Sequence, residues 1–180
     1  KEALQGARDI VAESVAETPA VRSWARELYL DESVLVVTKA PEVSAPTKFE
    51  AYYDFREAVR TLASHRFLAV RQGEAENVLR SELEVDAAKC IAHLGVLAGR
   101  RPASPWREQL ELAVADAWKR LVAPAIESEV RVELKLRADR GAVDVFAQDL
   151  RALLLASPFG ARTVIGIDPG QRTGCKVVAI

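Results

Sequence analysis

Residues 104–158 read SPWREQLELAVADAWKRLVAPAIESEVRVELKLRADRGAVDVFAQDLRALLLASP, and the fold turns on how they are read. Ser104-Pro105 is a helix-opening pair, because proline at the first helical position loses only an N–H that has no partner there. Leu110, Val114, Trp118, Leu121 and Val122 then fall on one face at helical spacing. Pro124 lacks the N–H that the ladder needs, so a kink or break is expected there. Ile126, Val130, Leu134 and Arg137 resume the period. Val143, Phe146, Leu150, Leu153 and Leu154 carry it on until Ser157-Pro158 ends it. The mixed charges of 127–140 stand at i,i+4 spacing, which marks a solvated face. One helical stretch thus dominates the chain.

Working upstream, residues 86–98 read as a helix that stops near Gly95 or Gly99. The turn GRRPASP (99–105) places Arg100 and Arg101 near Arg107. This small basic cluster could touch a phosphate backbone, although a solvated turn is the stronger reading. The stretch RFLAVRQGEAENVLRSELEV alternates around Gly73 and reads as a small β-hairpin near 66–85, with a helix over its first half as the alternative. Ser64 is a candidate cap for the segment after it. His65 beside it reads as part of a capped turn rather than of a catalytic pair. Phe49, Tyr52, Tyr53 and Phe55 gather where a core needs an anchor. TKAPEVSAPTK (38–48) carries two prolines and no period, and reads as a loop and an internal boundary. Before it, residues 2–16 form an amphipathic helix. Thr18-Pro19 starts a second helix bearing Val21, Trp24, Ala25, Leu28 and Tyr29, so a short antiparallel helical hairpin is expected over 1–40. Trp106 and Trp118 read as core residues, and His93 as a half-buried core residue rather than a ligand.

The 180 residues carry a formal net charge of −1, so the bulk chain has no electrostatic reason to collect on nucleic acid or a membrane. No run of about 18 apolar residues is present for a spanning helix. Cys90 and Cys175 lie far apart with no CxxC, which disfavours a thiolate metal site and predicts reduced thiols in a cytoplasmic protein. The chain has no methionine and opens inside a helical pattern, so it reads as an excised piece of a longer protein.

At the other end, RTVIGIDPGQRTGCKVVAI (162–180) changes period. Val164, Ile165 and Ile167 are answered by Val177, Val178 and Ile180 across a turn containing Pro169, Gly170 and Gly174. Two adjacent antiparallel strands are expected. Asp168 then stands at the end of the first strand, where a carboxylate packs poorly but can hold a hard cation. Gly170, Arg172, Thr173, Gly174 and Lys176 would let backbone, hydroxyl and cationic groups come near a phosphate. A strand–Asp–glycine turn also opens actin-like and sugar-kinase nucleotide sites, from which this sequence departs at Pro169 and Arg172.

Gly166 to Lys176, GIDPGQRTGCK, resembles the opening hairpin of the YqgF-type, RNase H-like domain of the bacterial Tex transcription accessory proteins. KFEAYYDFRE (48–57), SHRFLAVRQGEAENVL (64–79) and the run from Trp106 through Leu155 resemble the helical region that precedes that domain. The resemblance implies a mainly α fold with a small β-hairpin, ending in the first two strands of an RNase H-like α/β domain. It implies boundaries at 1–40, 41–160 and 161–180. It further implies a cytoplasmic factor with a helix-turn-helix-containing helical region, in which this part is an interaction scaffold. The whole protein would bind RNA or DNA mostly through domains outside this sequence, work with the transcription machinery, and use no membrane. The contrasting implication is a nuclease or resolvase in which Asp168 is one of several acids holding Mg²⁺ in a complete domain.

Overall fold

In the computed structural model the described residues are 2–99, 104–170 and 174–180. They form two compact units, 1–143 and 144–180. The fold is mainly α with small antiparallel sheets.

The first unit opens with helix α1 (Glu2–Ala16) and helix α2 (Pro19–Glu32), both where the sequence places them. Thr18 precedes Pro19 as expected, but its hydroxyl donates to the Ser14 carbonyl (3.0 Å) and caps nothing. Strand β1 (Val34–Lys39) comes directly after, with Leu35 and Val37 fully buried. It is the centre of a three-stranded antiparallel sheet, flanked by β2 (Asp54–Ala58) and β3 (Leu79–Glu84). Val34 opposes Ala58 on one side and Glu84 on the other. Burial from both sides explains why β1 is a continuous apolar run rather than an alternating one.

Between β2 and β3 lies helix α3 (Ser64–Ala75), where the sequence suggests a hairpin over 66–85. The chain takes the helical alternative for the first half. The second half is β3, which pairs with β1 rather than with its own neighbours. Ser64 is the first helical residue and not a cap. The helix ends in a Schellman turn: Val78 N–H donates to the Gly73 carbonyl (2.8 Å), Asn77 N–H donates to the Glu74 carbonyl (3.0 Å), and Asn77 is left-handed at φ 56°. Gly73 is required by packing, since a Cβ there would sit 2.5 Å from Leu79 Cδ1.

Helix α4 (Ala87–Leu97) is capped by Asp86, whose carboxylate accepts from Lys89 N–H (3.0 Å). The chain leaves it through Gly99, left-handed at φ 69°. Helix α5 (Arg107–Asp116) passes through a π-helical segment (Ala117–Val122) into α6 (Ala123–Leu154). Pro124 therefore does not break the helix. The wider turn just before it routes Ala123 N–H to the Trp118 carbonyl, so the ladder shifts by one residue upstream of the missing donor. That segment also carries the largest core side chain, Trp118, against Tyr29 and Trp24.

Ile126, Val130, Leu134 and Ala138 bury one face of α6. Arg22 pairs with Glu129 and Arg26 with Glu133, equal spacings that make α2 and α6 run parallel. Arg131, four-fifths buried, bonds Ser81 by both its hydroxyl (2.9 Å) and its carbonyl (2.6 Å) and pairs with Glu127 (2.9 Å). Glu127 in turn accepts from Leu83 N–H (3.2 Å), which ties α6 to the β3 edge. Trp106, expected in the core, is 61% exposed. His93 also lies on an exposed side, stacked on Trp24 at 4.5 Å between ring centres.

The second unit holds the end of α6 with strands β4 (Ile165–Pro169) and β5 (Cys175–Ala179). They pair antiparallel as the sequence predicts, from Ile165 opposite Ala179 to Pro169 opposite Cys175. Ile165, Ile167, Val177, Val178 and Ile180 are all exposed.

Candidate functional site

The site suggested by the sequence is the tip of the β4–β5 hairpin. β-Branched residues keep both strands extended, and the turn is closed by Gly170 N–H donating to the Gly174 carbonyl (2.9 Å). Gly174 is left-handed at φ 55°, a conformation glycine adopts without cost. Asp168 and Lys176 are cross-strand partners on this ladder, with the ammonium 3.9 Å from the carboxylate. Both side chains are largely in solvent, so the contact contributes little. Gly170 and Gly174 lie at the turn as expected. Arg172 and Thr173, and likewise Arg100 and Arg101, fall outside the described residues.

Mg²⁺ takes an octahedral set of oxygens, usually from more than one acid plus water or substrate. Asp168 is faced by a lysine, and among the described residues no three metal-ligating side chains gather. The described residues of the hairpin do not fit a Mg²⁺ site by themselves.

Titratable groups elsewhere are engaged structurally. Burial pushes the Tyr29 hydroxyl up to about 12, helped by Glu127, and pushes the Cys90 thiol up to about 11, helped by Asp86. Cys90 is thus an inert core thiol, while Cys175 is exposed on β5. No helix among the described residues is long and apolar enough to cross a membrane.

The sequence singles out residues by motif and misses a group that only folding assembles. Arg60 belongs to the 3₁₀ turn Val59–Thr61, and Arg137 and Arg140 belong to α6. Arg137 donates to the Val59 carbonyl (3.1 Å), which brings the two segments together. A separation of 78 residues hides this contact from any local pattern.

Residues 1–146 match the family described as Tex central region-like. The chain is 38% identical to Protein tex of Bordetella pertussis, over all of this chain and 24% of that protein. It is 34% identical to the Transcriptional accessory protein Tex of Neisseria gonorrhoeae, over all of this chain and 25% of that protein. It is 30% identical to human S1 RNA-binding domain-containing protein 1, over 97% of this chain and 19% of that protein. The chain spans about a quarter of the length of the curated relatives it matches. A family match over residues 1–146, together with alignments that span all of this chain, means that the chain belongs to the Tex family through its central region.

Proposed function

We propose that this chain is the helical scaffold of a cytoplasmic, Tex-like transcription accessory factor, holding in place the parts that bind nucleic acid and docking on the transcription machinery. The β4–β5 hairpin is then the opening of a YqgF-type, RNase H-like sheet that continues in the rest of the protein. Three things support this reading. The family match covers residues 1–146. One relative is named for transcription and another for RNA binding. The hairpin is two-stranded, with apolar residues exposed along both strands, and a sheet this small is not stable in water by itself.

The observation that carries the scaffold reading is the family match over residues 1–146. Metal-assisted phosphodiester cleavage relies on ions held by several acids. The test is made on the intact protein with Mg²⁺ or Mn²⁺ and structured or single-stranded nucleic acid. Binding unchanged in Asp168→Asn, with no cleavage by either form, is the expected result. Cleavage that disappears in Asp168→Asn would make the protein a nuclease.

A further inference from the structure

The first unit neutralises most of its arginines internally. Arg22, Arg26, Arg56, Arg66, Arg71, Arg80, Arg107, Arg120 and Arg131 each pair with a carboxylate. Among the described arginines of that unit, Arg8, Arg60, Arg137 and Arg140 form no ion pair, and Arg8 lies near enough to Asp116 to feel its charge. Three of these four share one neighbourhood. Arg137 is anchored on the Val59 carbonyl, beside Arg60 in the chain. Arg140 lies one turn further along α6, next to Gly141, whose missing side chain admits Ser64: a Cβ there would stand 2.7 Å from Ser64 Oγ. The turn at 59–61, the start of α3 and one stretch of α6 therefore converge. Arg60, His65, Arg137 and Arg140 are all exposed there.

Two of the acids beside this patch are engaged by other cations. Glu57 is held by Arg66 (2.8 Å) and Asp139 by Lys135 (2.5 Å). Asp144, four residues on from Arg140 in α6, is the remaining acid, one carboxylate against three guanidiniums. Three guanidiniums left without a carboxylate, in a fold that pairs nearly all the others, form a local positive surface on a chain of net charge −1. Guanidinium forks match phosphate oxygens. A few such contacts give weak, sequence-independent, salt-sensitive binding through counterion release.

We infer that Arg60, Arg137 and Arg140 form a phosphate-contact patch that guides a nucleic-acid strand across the central region. This deepens the scaffold reading and rests on it, since it supposes that the intact protein binds nucleic acid elsewhere as well. Arg137 also holds the Val59 carbonyl, so the test uses Arg60→Gln/Arg140→Gln. Lys119→Gln, which removes a cation of the π-helical segment that has no place in the patch, is the control. Affinity of the intact protein for a 20-nucleotide single-stranded RNA is measured against salt concentration, with thermal melting as the check on folding. Each lost phosphate contact lowers the slope of log K against log salt by about 0.7, so the double variant should lose about 1.4 and the control nothing. An unchanged slope in a double variant that melts normally overturns the patch and leaves the scaffold reading intact. A wild-type protein with no salt-dependent RNA binding at all would sink the scaffold reading itself.

Discussion

Two glycines inside helices make opposite demands. Gly6, in α1, has nothing within 4 Å of where a Cβ would stand, whereas Gly73, in α3, is pressed against Leu79. Alanine in a helix interior gains about 1 kcal/mol over glycine by propensity alone. Gly6→Ala should therefore raise the melting temperature by a few degrees. At Gly73 the same change drives a methyl into a side chain that is itself only 3% exposed. Overpacking of that kind costs about 1–3 kcal/mol, enough to cancel or exceed the propensity gain. Gly73→Ala should melt no higher than the parent. Thermal denaturation of the two single variants side by side checks the sign. A stabilised Gly73→Ala would mean that β3 does not close on α3 as described.

The elements legible in the sequence are those with a local signature. Helices α1, α2 and α4 and the β4–β5 hairpin announce themselves through apolar period, Thr18-Pro19, Gly99 and the Asp168–Gly170 turn. Strand β1 does not, because a short apolar run directly after a helix has no period of its own. It becomes a strand through partners distant in sequence, as Val34 does with Glu84. The α3 segment fails locally for a related reason. Its apolar positions Phe67, Leu68 and Val70 suit either period, and Gly73 reads as a turn until Leu79 is placed against it. Pro124 misleads because the π-helical turn that accommodates it has no sequence mark. In the hairpin, exposed Ile167 and Val177 lie directly opposite each other. Open apolar edges of this kind recruit other strands. Ile167→Lys/Val177→Lys should reduce concentration-dependent association in sedimentation experiments without moving the melting temperature of the helical body. Equal association in parent and variant would show that the hairpin surface is not what self-associates.

Across the entire chain, the candidate sites divide in the same way. The hairpin tip is legible because all its residues fall within one turn. The patch of Arg60, Arg137 and Arg140 is not, because it exists only once the 59–61 turn lies on α6. The residues build a body, 1–143, whose core runs from Ala12 to Ala138, and a second unit whose strands lie in solvent. The first buries a continuous apolar core, whereas the apolar side chains of β4 and β5 are exposed. Native-state hydrogen exchange on the 180-residue chain is the sharpest check of that difference, since exchange reports how much free energy guards each amide. Amides of β1 and of α6 between Ile126 and Ala138 should exchange slowest, near the global limit, while those of β4 and β5 exchange within the fastest class. Protection of Ile167 and Val177 equal to that of Leu35 and Val37 would show instead that the hairpin is as strongly held as the body.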